Sequence, residues 1–268
     1  MTDTRPHSHA FSLVELAVVL VILGLLVGSV LSGQALVRAS QLRSVATEYQ
    51  QYLRAATSFR EKYFYLPGDI PNATAIWGAV HANANLCRRN LCTSPAGSKA
   101  TCNGSGSGDM TEVITSSNCT SNVSSLFWKH LANADLISGS YSQIVSNVAG
   151  GPRYYTTSNS PASKVSGGIW TINTDGRVQP DSTDTRYAFV IGGPNTWATG
   201  PYLNKTAIFR PEEIWNLDTK IDDGKPVAGK VTAETGYGAA NCTTGDTATD
   251  TYQLTNTDIS CIAYFYAK

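Results

Sequence analysis

One carboxylate stands inside the most apolar stretch of the sequence. Apolar residues run from Phe11 to Leu31, and the acid Glu15 interrupts them near the start. A helix of about 20 such residues can cross the hydrocarbon core of a bilayer, where an ionised carboxylate is costly unless it is neutralised or paired. Glu15 is therefore expected either to reach the headgroups from the end of the run or to be kept for a partner charge. The best candidate partner is the α-amino group that a cut just before Phe11 would create.

Three further acids cluster in the C-terminal half of the chain. Asp218, Asp222 and Asp223 precede Gly224. Carboxylate oxygens grouped around a glycine turn are the ligands that Ca²⁺ prefers, although the EF-hand pattern is missing. A surface turn with charges at a helix end explains the same residues, so both interpretations stay open. Apart from this candidate calcium site, no cofactor is predicted.

The sequence contains no motif of a common enzyme class. It has no G-x-S-x-G, no H-E-x-x-H, no P-loop and no dinucleotide fingerprint. Its histidines are His7, His9, His81 and His130, and the first two precede the apolar run. We therefore predict a protein that is not an enzyme.

The charge balance argues against a protein that binds nucleic acid. Twenty basic residues balance twenty acidic ones, and only 15% of the 268 residues are charged. A phosphate-binding protein needs an excess of Lys and Arg to release counterions. The chain is nevertheless long enough to bury a substantial core.

The pattern around Glu15 resembles that of a known family. A polar segment, residues 1–10, ends in the small residue Ala10, and Phe-Ser-Leu-Val-Glu-Leu and an apolar helix follow. Residues 10–31 closely resemble the N-terminus of type IV prepilins and of type II secretion pseudopilins. The resemblance implies a cut between Ala10 and Phe11 and N-methylation of Phe11. Ala10 stands where the family usually has glycine, and both residues are small.

The resemblance also implies a role for Glu15 and a set of partners. In the family the matching glutamate meets the N-terminal amine of a neighbouring subunit inside a filament, and such a pair sets the depth at which a subunit inserts. The implied partners are the prepilin peptidase/methyltransferase, other pilin or pseudopilin subunits in a homo- or hetero-filament, and an inner-membrane assembly platform. The implied location is the bacterial inner membrane for the precursor, with a periplasmic head, and then a periplasmic or extracellular filament.

A long helix must position this chemistry. Residues 11–31 predict a transmembrane or filament-core helix, and residues 32–66 predict its amphipathic continuation, which ends near Tyr65 because Pro67 disfavours helix before it. The apolar stripe of the continuation is expected to pack against the head and comprises Leu42, Val45, Ala46, Tyr49, Leu53, Ala56, Phe59 and Tyr63. The opposite, polar face is predicted to hold Arg43, Glu48, Gln50, Arg54 and Lys62.

Residues 67–268 predict a globular head of the α+β class. A long helix, an irregular loop over 87–122 and then short strands with inserted helices indicate an antiparallel sheet packed on the N-terminal helix. The expected strands are 168–172, 187–191 and 261–266, with a hairpin turn at 174–176. The expected helices are a short one within 72–84, one over 127–137 that is capped by Ser124 or Ser125 and stopped by Gly139, and one from Pro211 to about Lys220.

Six cysteines make disulfides the default for a head outside the cytoplasm. The predicted pairs are Cys87–Cys92, Cys102–Cys119 and Cys242–Cys261. All three pairs close short loops, and Cys242–Cys261 also resembles the disulfide-bounded C-terminal loop of many pilins. Zinc binding is the competing interpretation, but paired Cys-x-x-Cys spacings are missing.

The type of filament stays open at this point. Pili and secretion pseudopili share the same N-terminal pattern, and so do filaments for adhesion, DNA uptake and motility. The large head favours a minor or specialised subunit, although larger major pilins exist. The alternative from another class is a membrane-anchored periplasmic binding or enzymatic domain whose N-terminal helix is not cleaved.

Overall fold

The structure, a computed structural model, describes residues 13–80, 97–108, 123–143, 156–173, 187–194, 205–245, 247 and 249–267. The chain divides into two units, residues 1–41 and 42–268, which are described separately below. Within the described residues the elements are, in chain order, α1 (Leu13–Tyr63), α2 (Ala73–Trp77), α3 (Val123–Asn133), β1 (Ile169–Asn173), β2 (Ala188–Gly192), α4 (Pro211–Ile221), β3 (Val231–Thr235) and β4 (Cys261–Tyr266). The predicted leader, residues 1–10, lies outside the described residues.

Helix α1 ends at Tyr63, before the predicted end near Tyr65. Phe64 has a left-handed backbone with φ of 63°, and its N–H donates to the carbonyl oxygen of Arg60 at 2.8 Å. A left-handed residue closes the last turn of a helix and turns the chain aside. The prediction that Pro67 ends the helix is therefore wrong, because the helix has ended before Pro67 restricts its neighbour.

The strands form one antiparallel sheet in the order β1-β2-β4-β3. The sequence predicted β1, β2 and β4 to within one residue at each end, and the predicted α+β class is confirmed. Phe265 in β4 is paired with Phe189 in β2 and with Val231 in β3. The prediction missed β3, a short edge strand whose Val-Thr-Ala-Glu-Thr sequence has only two apolar residues to mark its inner face. The predicted hairpin turn at 174–176 lies outside the described residues.

The C-terminal part of α1 packs against the inner face of the sheet, as predicted. The ring centroids of Tyr49 and Phe265 lie 5.0 Å apart, and those of Tyr52 and Trp128 also lie 5.0 Å apart. The Tyr49 hydroxyl donates to the carbonyl oxygen of Tyr266 at 2.9 Å. Such aromatic pairs stabilise a core beyond the area that they bury. The buried residues of α1 are Val45, Glu48, Tyr49, Tyr52, Ala55, Ala56 and Phe59.

Glu48 lies on this buried face, so its predicted place on the polar face is wrong. Its side chain is only 7% exposed. One carboxylate oxygen accepts hydrogen bonds from the Ser163 hydroxyl and the Trp170 indole N–H, both at 2.7 Å, and the other accepts from the Lys164 N–H at 2.9 Å. Three donors compensate for the desolvation of the carboxylate, which is why a charged residue is tolerated in the core.

The ends of α3 also differ from the prediction. Ser124 and Ser125 lie within the helix, so neither is its N-cap residue. The helix ends before Gly139 because Asp135 adopts a left-handed conformation with φ of 60°. The N–H groups of Asp135 and Leu136 donate back to carbonyl oxygens of the last turn at 3.0 Å, which is the pattern of a Schellman motif. An aspartate thus takes the place that the prediction assigned to glycine.

Helix α4 begins at Pro211, as predicted, and ends at Ile221. The Glu213 carboxylate accepts the N–H of Arg210 at 2.9 Å, which satisfies one of the free donors at this helix end. The helix carries Asp218 on its last turn and places it beside the loop that leads to β3.

The structure contains the predicted Cys242–Cys261 disulfide. Cys102 is also disulfide-bonded. Zinc binds cysteine as a thiolate, and a sulfur in a disulfide is not a thiolate, so Cys102, Cys242 and Cys261 are excluded as zinc ligands. Outside the described residues lie the other predicted disulfide cysteines, Cys87, Cys92 and Cys119.

Removing the C-terminal disulfide is expected to lower the stability of the head. The bond closes a loop between residues that are 19 apart in sequence. A loop of this size is worth about 3 kcal/mol. Urea denaturation of the detergent-solubilised chain carrying Cys242→Ala and Cys261→Ala is expected to show a loss of that order. A double variant as stable as the wild type would show that strand pairing alone holds β4.

Candidate functional site

The first turn of α1 carries the carboxylate that the sequence singled out. The helix includes Leu13 as its first described residue, and Glu15 follows within the same turn with an exposed side chain. Ala10 and Phe11, the predicted processing residues, lie outside the described residues. The helix therefore presents the Glu15 carboxylate on its outside, where a group from another molecule can reach it.

The helix around Glu15 exposes an extended apolar surface. The most apolar 18-residue window of α1 has a mean hydropathy of 2.7, and none of it is buried within the chain. Soluble monomers rarely expose so large an apolar patch, because water penalises it. This length and composition are sufficient for a helix that crosses a membrane. The large apolar side chains exposed here are Leu13, Val14, Leu16, Val18, Val19, Leu20, Val21, Ile22, Leu23, Leu25, Leu26, Val27, Val30, Leu31, Leu36 and Val37.

Comparison with protein families identifies this segment. Residues 5–31 match the family model described as the prokaryotic N-terminal methylation motif. The chain has a prepilin-type N-terminus. The matched range includes Ala10, Phe11 and Glu15, the residues for which the sequence predicted processing and assembly.

The prepilin-type motif covers only the start of the chain. No curated protein and no solved structure matches the sequence. The fold of the head, within residues 42–268, is therefore described from its own helices, strands and contacts. Its long helix packed on an antiparallel sheet, together with the Cys242–Cys261 disulfide, forms a pilin-like α+β fold.

Glu48, which joins α1 to the head, was not predicted from the sequence as a functional residue. Its three hydrogen bonds reach residues 115 to 122 positions further along the chain. A signal was present, because Glu48 follows Val45 by three residues and precedes Tyr52 by four, the spacing of one helix face. The residue type of Glu48 favours solvent, whereas its position between Val45 and Tyr52 on the helix favours burial.

The three predicted calcium ligands lie together at the end of α4. Their carboxylate oxygens lie within 4.8 Å of one another. Asp218 is fully buried and accepts the Tyr252 hydroxyl at 2.8 Å, whereas Asp222 and Asp223 accept backbone N–H groups from the loop that follows. Burial raises the pKa of Asp218 to about 7, although the hydrogen bond from Tyr252 opposes this shift. The donor set suits a hard cation, and the same contacts also stabilise the turn without one.

The raised pKa of Asp218 predicts that the head loses stability as the pH rises from about 4 to 7. In this window the folded chain keeps the proton of Asp218 while the unfolded chain, with a pKa near the ordinary 3.8, loses it. The loss is about 2 kcal/mol after allowance for solvent screening, and it is complete above pH 7. Melting temperatures at pH 5 and pH 7.5 measure it for the wild type and for Asp218→Asn.

The wild type and Asp218→Asn should differ in how far the melting temperature changes between pH 5 and pH 7.5, and this difference isolates the contribution of Asp218. Burial lowers the pKa of His130 to about 3, so His130 destabilises the head as the pH falls below 6.5 in both proteins alike. Asp218→Asn keeps the shape of the neutral acid, and its melting temperature should fall less between pH 5 and pH 7.5. Equal falls for both proteins would contradict the assignment.

Binding of Ca²⁺ by these acids stays a prediction. If the site binds the ion, the melting temperature at pH 7.5 rises with Ca²⁺ and falls with a chelator, because a ligand of the folded state stabilises it. Asp218→Asn should remove that response, while Asp258→Asn, at an exposed acid elsewhere in the head, should keep it. If the wild-type melting temperature changes with neither Ca²⁺ nor chelator, the calcium prediction is wrong.

Proposed function

We propose that this chain is a structural subunit of a type IV pilus-like or type II secretion pseudopilus filament. The observation that carries the proposal is the exposed apolar helix with Glu15 in its first turn, set within the N-terminal methylation motif. An apolar surface of this kind is stable only in lipid or against other helices. A filament subunit needs both environments in turn.

Maturation is the first step of the proposed pathway. The precursor is anchored in the inner membrane by α1, and prepilin peptidase cuts between Ala10 and Phe11. The same enzyme then methylates the new N-terminus. Cleavage removes the polar residues 1–10 and places a positive amine four residues before Glu15.

The proposed role of Glu15 is to set the register of assembly. Helices that leave lipid for a helix bundle gain little from the hydrophobic effect, because lipid tails are as apolar as leucine. An amine and a carboxylate in that environment are each penalised alone and attract each other strongly when paired. Pairing of Glu15 with the amine of a neighbouring subunit therefore defines one insertion depth, and the apolar side chains of α1 pack around it.

The head supplies a rigid, folded surface to this assembly. Its core joins α1 to the sheet through aromatic rings and through the three hydrogen bonds of Glu48. The proposed partners are the other pilin or pseudopilin subunits and the inner-membrane assembly platform. The proposed role of the chain is mechanical, not enzymatic.

Fractionation of the native host tests the proposal. An antibody against the head should detect the chain in purified filaments or sheared surface material, and in the membrane fraction alone when the host lacks its filament assembly motor. The alternative, a membrane-anchored periplasmic binding or enzymatic domain, predicts that the chain stays in the membrane fraction in both hosts. That outcome would contradict the filament proposal.

A further inference from the structure

Helix α1 changes from apolar to basic at Arg38. Large apolar side chains are exposed along α1 from Leu13 to Val37, and Arg38 follows directly. Arg43 comes five residues later with an exposed side chain. Residues 16–47 contain no acidic residue. The formal charges at the end of the apolar surface are therefore positive only.

The length of this apolar surface sets the depth of the two arginines. From Leu13 to Val37 the helix is about 36 Å long, whereas the hydrocarbon core of a bilayer is about 30 Å thick. Whether the helix stands upright or tilts to bury the whole surface, Arg38 lies in the headgroup layer. Side chains on a helix lean toward its N-terminus, so Arg38 and Arg43 both lean back toward the membrane. Arg43 is about 7.5 Å further along the axis, and its long side chain covers much of that distance.

Phospholipid phosphates are the anions at this depth. A guanidinium binds phosphate through two parallel N–H···O bonds, and basic residues next to a span are attracted to the surface charge of anionic lipids. We propose that Arg38 and Arg43 bind the headgroups of anionic phospholipids of the phosphatidylglycerol type. A zwitterionic headgroup also offers a phosphate, but its own ammonium group competes with the arginines for it. The proposal rests on the membrane anchoring that is part of the function proposed above.

The contact adds an ionic component to the anchoring of the subunit. The spacing of five residues places the two guanidiniums about 140° apart around the helix, so they bind different lipid molecules. Both contacts exist only while α1 is in the bilayer and are lost when the subunit enters a filament. The arginines therefore hold the subunit at one depth before assembly.

The lipid selectivity of the reconstituted chain tests the contact. The full chain is placed in phosphatidylcholine vesicles that contain a trace of spin-labelled phosphatidylglycerol or of spin-labelled phosphatidylcholine. The electron paramagnetic resonance spectrum separates labelled lipid that is held against the protein from labelled lipid in the bulk. At low salt the wild type is expected to hold at least twice as much of the anionic label as of the zwitterionic one. Sodium chloride at about 1 M should reduce this preference, because salt screens exposed charges.

Two double variants assign the preference to particular arginines. Arg38→Gln combined with Arg43→Gln should hold both labels equally. Arg54→Gln combined with Arg60→Gln is the matched control, because it removes the same charge from exposed positions further along the same helix. The control should keep the wild-type preference. None of the four side chains is buried, so all three proteins should have the same melting temperature.

The outcomes separate this proposal from the filament function. Equal amounts of both labels on the wild type would overturn lipid binding by the arginines. The same loss of preference in the control pair would also overturn it, because net charge would then be the cause. The measurement needs neither cleavage nor filaments, so both of these results leave the filament proposal intact. A spectrum without any protein-held lipid would mean that α1 does not enter the bilayer, which contradicts both proposals.

Discussion

Replacing Glu15 by glutamine is expected to reduce incorporation of the chain into filaments by at least tenfold. The variant keeps the size of the side chain and the apolar surface of α1, but it removes the charge that is proposed to pair with the amine of the neighbouring subunit. That amine is then left unpaired in an apolar bundle, which costs about 3–5 kcal/mol when one partner of a buried pair is removed. Purified filaments from hosts that express wild-type or variant chain measure the effect with an antibody against the head.

Two controls identify the cause of this loss. Glu61→Gln removes an exposed acid from the same helix and should leave incorporation unchanged. The membrane should also contain at least as much Glu15→Gln precursor as wild-type precursor, because the substitution makes the apolar helix easier to insert. Filaments that contain Glu15→Gln at the wild-type level would refute the pairing.

Replacing Glu48 by alanine is expected to destabilise the head by about 3–5 kcal/mol. The substitution leaves the buried Trp170 indole N–H and the partly buried Ser163 hydroxyl and Lys164 N–H without their acceptor. Each unsatisfied buried donor costs about 1–3 kcal/mol, and water that enters the new cavity recovers part of that cost. Urea denaturation of the detergent-solubilised chain, followed by tryptophan fluorescence, measures the change.

The Glu48 prediction has a matched control on the same helix. Glu61→Ala removes an exposed glutamate, so its effect should stay within about 0.5 kcal/mol. Glu48→Gln should lie between the two, because an amide oxygen can still accept from Trp170 and Ser163, which share one carboxylate oxygen, while the amide nitrogen cannot accept from Lys164. A Glu48→Ala variant as stable as Glu61→Ala would contradict the anchoring role.

Local sequence signals were sufficient for the N-terminal segment and for most elements of the head. The apolar run, Glu15 and the small residue before Phe11 are contiguous, so they could be recognised without any knowledge of the fold. Strand β4 and helix α4 also carry local signals, an apolar run that starts at Cys261 and a proline in the first turn. The bounds of both elements were predicted to within one residue, because the residues that determine where each element starts and ends belong to the element itself.

Features that depend on distant partners could not be predicted in this way. The burial of Glu48 requires three donors that lie more than a hundred residues further along the chain. Strand β3 forms because β4 offers it an edge, and its own sequence has too few apolar residues to predict a strand. The end of α1 depends on the strained backbone of Phe64, which no propensity favours. These features are consequences of tertiary structure, which overrides local preference.

The mass of the N-terminal peptide of the protein purified from its native host tests the central claim most directly. We expect the peptide to begin at Phe11 and to carry one methyl group on its amine, because residues 5–31 match the N-terminal methylation motif and the proposed maturation includes both reactions. A chain that still begins at Met1 in the host would contradict the account, since Glu15 would then have no new amine to neutralise.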